Sequence, residues 1–453
     1  MSAGARTTAP RPSTRAFERA CRAVSVRQGE EVPFAWSCAT AFLVMASYAA
    51  EKPLRDAMAL AGDERRLPWL FLVTLGAMAL VSPAVTALVS RTTPRALVTR
   101  VLHASALGML AFWALFHLGT GDALRVGAAR AFFVWLSVFN LSALSVFWGV
   151  TSDVFDAEQA ARLFGPISVG VTLGLLAGSA ASAALVEVLA PHHLLLLSVL
   201  LLEGAVVTAR RLVASSRRPA VHEAGPLASP APRASHGART SPLEGIREVL
   251  RSRYLMAIAA YLLFFTISST WLYFAQAGVV SRAVGDTARR TAIFARLDVT
   301  VNLVTVAGQA FLTSRALRRL GTTFALAALP VCTLIGLCAL AVRPGVTALV
   351  AVQLARRSTD YVLVKPAREL LFTVVPREAK YEAKSFIDTF VYRAGDAIGA
   401  LTTALLGVRL VPVALALCVA WGAVALALGR AFASRSGARR APVATAEAPP
   451  RTA

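Results

Sequence analysis

The sequence predicts an all-α membrane protein of twelve spanning helices arranged as two six-helix bundles. Three observations lead there. Apolar stretches of roughly 18 residues or more recur along most of the chain, the mark of membrane-spanning helices. Of 453 residues, 56% are hydrophobic and 16% charged, with a mean hydropathy of +0.61; soluble domains carry about 25% charged residues. The apolar stretches also fall into two sets of six around one long polar segment. A bilayer admits only helices and closed barrels, because every backbone polar group must be satisfied internally. These stretches are too long and too evenly apolar for barrel strands.

Residues 1–32 read as a basic cytoplasmic tail, rich in Arg, Pro and Ser, and not as a signal peptide. The N-terminal bundle, 33–210, holds spans at 33–60, 68–90, 97–118, 128–151, 164–188 and 192–210. Residues 211–252 ("SSRRPAVHEAGPLASPAPRASHGARTSP" at their centre) have the composition of a disordered cytoplasmic linker. The C-terminal bundle, 253–430, holds spans at 253–276, 290–313, 321–342, 345–374, 384–408 and 410–430, followed by a cytoplasmic tail at 431–453.

The formal charge of +22 raises nucleic acid as a partner. The basic residues are mostly Arg placed between apolar segments, which is the positive-inside pattern instead. With both termini and the linker in the cytoplasm, cytoplasmic Lys and Arg outnumber extracytoplasmic ones by about three to one. The expected location is therefore the cytoplasmic (inner) membrane. The partners expected are the lipid bilayer and a small-molecule substrate, with no nucleic acid, and the chain is expected to be a monomer. Of five cysteines, four lie in apolar spans and Cys21 in the tail, without metal or disulfide spacing. His192 and His193 fall in a short loop and are expected to be solvated. No metal site and no cofactor are expected.

Charges inside the spans carry the functional reading. Each costs about 2.5–3.5 kcal/mol at mid-membrane. Span ten holds Arg356, Arg357, Asp360, Lys365, Arg368 and Glu369, about 15–20 kcal/mol in total if faced to lipid. Span one carries Glu51, Lys52, Arg55 and Asp56; span eight Arg296, Asp298 and Asn302; span eleven Asp388, Arg393 and Asp396. Such a set requires a protein-lined, hydrated cavity or mutual pairing. Lys-Pro-x-Arg-acid occurs twice, as KPLRD at 52–56 and KPARE at 365–369. Lys52 with Asp56, and Lys365 with Glu369, are i,i+4 pairs. Arg55 and Arg368 are then the less compensated charges, and Pro53 and Pro366 are expected to kink their helices. Counted from the span starts, the two pentads lie at matching depths on helices of opposite direction. That places one cationic station in each half of the membrane, as an inverted repeat would. The rival reading is that these charges are salt-bridged struts.

Six spans, a cytoplasmic linker and six spans is the plan of the major facilitator superfamily, in which each half is built of inverted three-helix repeats and substrate binds near the midplane. Loops "LVSRTTPRAL" (88–97) and "LTSRALRRLG" (312–321) carry Ser-Arg and a further Arg at equivalent places, without the Asp usual in that superfamily's loop. Within it, the chain resembles the ATP/ADP translocase family and its bacterial relatives over residues 45–405. The resemblance is densest in "KPLRDAM" (52–58), "FWGVTSDVFDAEQAARLFGPISVG" (147–170) and "ARELLFTVVPREAKYEAKSFIDTFVYRAGDAIGA" (367–400). It implies that Arg55 and Arg368 stand where the family has functional lysines, each followed by an acid, Asp56 and Glu369. Arg offers a planar fork where Lys offers a point charge. The family's acids of helices four and seven fall near Val134–Leu136 and at Ser268, where this chain has none.

The expectation is a secondary transporter working by alternating access on an anionic or phosphorylated metabolite such as a nucleotide. Substrate contacts are assigned to Lys52, Arg55, Asp56, Arg356, Arg357, Asp360, Lys365, Arg368 and Glu369. Coupling or gating is assigned to Asp153, Asp298, Arg393 and Asp396. One alternative is a proton-coupled transporter of another solute, with Asp153, Asp298, Asp360, Asp388 or Asp396 titrating. Another is a scaffold of the same fold that moves nothing. The chain has no phosphate-cradling GxxxxGK[ST] loop and no nucleophile with a base, so no enzyme is expected and there are no catalytic residues to name.

Overall fold

The computed structural model describes residues 26–60, 66–118, 121–215, 242–343, 345–376, 383–384, 386–407 and 410–440. Among them there is no strand, and twelve long helical segments follow one another. They are α1 (Glu31–Met58), α2 (Leu67–Arg91), α3 (Pro94–His117), α4 (Asp122–Val154), α5 (Ala157–Leu185), α6 (Leu194–Ser215), α7 (Arg253–Ala283), α8 (Thr287–Phe311), α9 (Gly321–Val342), α10 (346–371), α11 (387–406) and α12 (Leu410–Arg440). Nine of them are long and apolar enough to cross a membrane; α2, α10 and α11 are the others, and α2 has a shorter apolar stretch, Leu67–Val81. The chain is a multi-pass integral membrane protein.

Local chemistry sets several ends. Thr93 caps α3 by accepting from the Ala96 amide, with Pro94 in the first turn. Asp156 and Gln159 exchange side-chain and backbone bonds in a capping box at 2.9 and 3.0 Å, which starts α5. Gly407, at φ +49°, ends α11 in a conformation open to glycine. The segment expected as a linker is helical at both ends, since α6 runs to Ser215 and a short helix covers Pro242–Arg251; residues 216–241 lie outside the described ones. Helix α12 likewise continues to Arg440, ten residues into the expected tail.

Spans ten and eleven are not plain helices. α10 is an α-helix (Val346–Thr359), a π turn (Asp360–Val364) and an α-helix (Lys365–Leu371). α11 is a π turn (Ile387–Val391) followed by an α-helix (Tyr392–Leu406). The break in α10 is thus a π turn that ends at Lys365, with Pro366 opening the next helix where a missing amide costs least. Pro53 is carried within α1.

The contacts divide the chain into two units. Unit 1 comprises Met1–His236 with Ala277–Leu303, and unit 2 comprises Gly237–Gln276 with Val304–Ala453. In unit 1, α1, α3, α4 and α6 share a core that includes Met45, Leu54, Leu102, Met109, Phe132 and Leu202. Helix α5 lies against α1 so closely that a Cβ on Gly170 would meet the Cys38 carbonyl oxygen at 2.7 Å, and one on Gly174 or Gly178 would come closer still to Phe42 or Ala46. Small residues let helix backbones meet where lipid supplies no hydrophobic drive. In unit 2, Tyr254, Ile258 and Leu262 of α7 pack with Leu326 and Leu329 of α9, Leu371 of α10 and Trp421 of α12. Gly395 and Gly399 of α11 sit against Thr266 and Thr270 of α7 with the same four-residue step. First and fifth helices of each six are therefore joined in the same way.

Candidate functional site

The first pentad lies in the last two turns of α1. Lys52 Nζ donates to Asp56 Oδ2 at 3.2 Å and to Asp298 Oδ2 at 2.8 Å. Arg55 Nε and Nη2 both donate to Asp56 Oδ1, at 3.0 and 2.7 Å, and Nη1 reaches Ser137 Oγ at 3.4 Å. The guanidinium lies 4.8 Å over the Phe133 ring. Arg55 is therefore not the less compensated charge that spacing alone predicts. Its neighbour Asp56, adjacent in sequence and only 5% exposed, holds both cations at once. Two cations and two carboxylates close on themselves.

The same region is braced by the part of α7–α8 that belongs to unit 1. Arg290 donates to the carbonyls of Leu60, Ser281 and Val284 at 3.1, 3.2 and 2.7 Å. Arg296 pairs with Glu187. Asn302 Nδ2 donates to Leu175 O and Ser179 Oγ, both at 3.2 Å. At the other end of α1, Glu30 accepts from Arg162 at 2.8 and 3.2 Å, from Gln159 at 3.0 Å and from the Arg27 amide at 3.0 Å. Burial pushes the Glu30 carboxyl up, but these donors outweigh it and hold it down at about 2. One of the three stretches of dense resemblance, 147–170, thus supplies both the α5 cap and the α1 anchor.

Glu51 departs from this closed pattern. It is fully buried, and neither carboxylate oxygen has a hydrogen-bond partner among the described residues. The neighbouring Ser198 hydroxyl donates to the Ser47 carbonyl at 3.0 Å. Buried polar groups are nearly always satisfied, so such a group calls for an explanation. The spacing argument passes over Glu51, since its isolation depends on α6.

The second pentad, in α10 of unit 2, behaves otherwise. Lys365 does not pair with Glu369: its Nζ lies 4.4 Å over the Tyr361 ring, and Glu369 accepts from Lys384 at 2.6 Å. The π turn changes the helical register before Lys365, and Lys384 reaches in from three residues ahead of α11. Arg368 is half-buried and has no ion-pair or hydrogen-bond partner among the described residues. Among the described residues Arg356, 3% exposed, has only neutral hydrogen-bond partners. It donates to Phe265 O at 3.3 Å, Ser269 Oγ at 3.3 Å and Ser268 Oγ at 3.4 Å, and among the same residues its buried Nε has no partner. Arg357 is half-buried, and Asp360, one turn beyond Arg356, is buried.

The remaining candidates are scattered. Arg393 pairs with Asp396 at 3.1 Å, and Thr270 donates to the same Asp396 at 3.2 Å, which ties α11 to α7. Asp153, near the end of α4, and Asp388, in the α11 π turn, are exposed. His192 and His193 are half-buried and meet His117, so they are not the solvated loop pair expected.

No family model matches the chain, and no curated protein matches it. Solved structures do. A crystal structure of the nucleoside transporter NupG aligns at 13% identity and a TM-score of 0.58, covering 89% of this chain and 99% of that one. A bacterial homologue of the iron transporter ferroportin gives 15% identity and 0.61, covering 88% and 98%. A bacterial homologue of the lysosomal transporter Spinster gives 12% and 0.58, covering 90% and 98%. At these identities the likeness shows the fold, the major facilitator arrangement expected from the six-linker-six pattern.

Proposed function

We propose that the chain is a secondary transporter working by alternating access, and that it carries an anionic, phosphorylated metabolite of the nucleotide class. One observation carries this reading: Arg356 and Arg368, both on α10, lack any carboxylate within ion-pair distance among the described residues. A guanidinium in a spanning helix is costly unless an anion meets it. A phosphate matches its fork bidentately. Support comes from the fold shared with a nucleoside transporter and other transporters. It also comes from the translocase resemblance, which assigns a functional cation to position 368. The acid that family has in helix seven falls here on Ser268, a neutral partner of Arg356.

In this reading Lys365, Arg368 and the arginines of α10 form the receiving station, with Asp360 and Glu369 limiting its charge. Lys52 and Arg55 act on substrate only by giving up Asp56 and Asp298, which makes that network a gate. In this reading the chain sits in the cytoplasmic membrane with both termini inside, which the three-to-one basic bias supports, and works as a single copy. Uptake of labelled nucleotides and sugar phosphates into proteoliposomes tests this. Wild-type uptake of at least one of them, lost in Arg368→Ala and partly kept in Arg368→Lys, is the expected result. Arg368→Ala at wild-type rates sinks the α10 station. A folded wild type that takes up no panel member leaves the scaffold.

A second reading rests on Glu51. Its carboxyl is buried with no hydrogen-bond partner among the described residues, a costly place for a charge, which suits it to carrying a proton. Uptake under an imposed pH gradient distinguishes the two. If Glu51→Gln responds to the gradient as wild type does, proton coupling through this residue is excluded.

A further inference from the structure

Three histidines distant in sequence converge in unit 1. His117 lies in the last turn of α3, and His192 and His193 belong to the 3₁₀ turn Pro191–His193 between α5 and α6. His117 Nδ1 and His192 Nε2 are 3.4 Å apart. One ring nitrogen from each of the three lies within 4.8 Å of the others. Ring centroids are 4.3 Å apart for His192 and His193, and 5.5 and 5.9 Å from His117 to each. The transport reading uses none of them.

We infer that His117, His192 and His193 form a binding site for a divalent first-row transition metal of the zinc class. Zinc binds imidazole nitrogen at about 2.0–2.1 Å in tetrahedral geometry, which sets ligand nitrogens about 3.4 Å apart. The His117–His192 pair already has that spacing. Two facing ring nitrogens can share one proton, or both can present lone pairs once each ring keeps its proton on the far nitrogen. The second state has no favourable contact without a cation between them. Metal ligands must be neutral imidazoles.

The third ligand is also prepared. Trp113 Nε1 donates to His193 Nδ1 at 3.2 Å, and an indole N–H can only donate. His193 Nδ1 therefore bears the lone pair, held by a donor that a metal would displace. Trp113 stacks on His117, with centroids 5.0 Å apart and planes 12° from parallel, so one indole touches two of the three ligands. Three imidazoles, with no thiolate or carboxylate joining them among the described residues, suit Zn²⁺, Cu²⁺ or Ni²⁺ over Mg²⁺ or Ca²⁺. The fourth position is left to water or to an incoming ligand. Occupied, the site clips the end of α3 to the α5–α6 turn.

The test uses the full chain, free of any histidine tag, in detergent after treatment with a chelator. Co²⁺ titration should saturate at one equivalent with the visible bands of a tetrahedral complex, and Zn²⁺ should displace it. His117→Ala, His192→Ala and His193→Ala should each weaken binding by about tenfold or more, while His103→Ala leaves it unchanged. Trp113→Phe should bind as tightly as wild type or more tightly, because it frees His193 Nδ1. A wild-type readout covers variants that fail to fold: one equivalent of Cu²⁺ should quench indole fluorescence reversibly, and less so in Trp113→Phe. Absence of saturable one-equivalent binding overturns the proposal, as does binding that survives in a folded His117→Ala/His192→Ala double variant.

Discussion

Residues 52–56 and 365–369 share Lys-Pro-x-Arg-acid, yet the two copies are held by opposite means. In α1 the acid is buried and takes both cations, and Asp298 completes the pairing. In α10 the acid is exposed and turns to Lys384, while Lys365 rests on Tyr361 and Arg368 is left without an ion pair among the described residues. A motif that is one object in sequence is a closed network in one unit and an open cationic face in the other. The cause lies in neighbours. Continuous helix keeps Lys52 and Asp56 one turn apart on a shared face. The π turn before Lys365 and the approach of α11 redirect the second copy. The open copy is the better candidate for meeting an anion, because nothing has to be given up first.

The contrast is most exposed to test at its acids. Asp56→Ala leaves Lys52 and Arg55 short of a buried partner and should destabilise the protein by about 3–5 kcal/mol. Glu369→Gln removes an ion pair whose carboxylate is more than half exposed and should cost about 1 kcal/mol or less. Thermal unfolding of the two variants in detergent compares them directly, and equal losses would erase the distinction.

Next in size is the split between the arginines. Arg368→Ala should lower uptake by about tenfold or more, a loss of at least about 1.4 kcal/mol in transition-state or substrate stabilisation, while leaving the unfolding midpoint near wild type. Arg55→Ala should lower the midpoint itself. The reverse pattern would make α1 the binding face and α10 the strut.

A smaller effect sharpens what the units share. Gly174→Ala in α5 and Gly399→Ala in α11 each push a methyl into the neighbouring first helix of the six. Overpacking of this kind costs about 1–3 kcal/mol, so both should lower stability by similar amounts in the same unfolding assay. A loss confined to one of them would mean that the two helix pairs are not equivalent.

The smallest concerns the far end of α1. The Glu30 carboxyl is held at about 2 from an ordinary 4.5. A depressed carboxylate contributes its full stability above the ordinary value and loses it as pH falls through the folded value. Wild type should therefore lose stability between pH 4.5 and about 2, and Glu30→Gln should be less stable near neutrality with a shallower fall. Superimposable pH profiles would remove Glu30 from the network that closes unit 1.

Fold class needed little beyond composition. Apolar runs of spanning length leave a bilayer few ways to satisfy the backbone, and among the described residues nine of the twelve helical segments are such runs; α2, α10 and α11 fall short and take their place from the six-and-six pattern. The location of the charged clusters was equally legible, because each charge in an apolar run is conspicuous. Their partners were not. Spacing along one helix finds Lys52 with Asp56, but it cannot place Asp298 beside them, from 246 positions away. It misreads Lys365 and Glu369, since it assumes an α-helical register through Asp360–Val364. The seclusion of Glu51, the serine cradle of Arg356 and the meeting of His117 with His192 and His193 all arise between helices. Periodicity reports which way a side chain leaves its own helix. Only packing decides what it finds there.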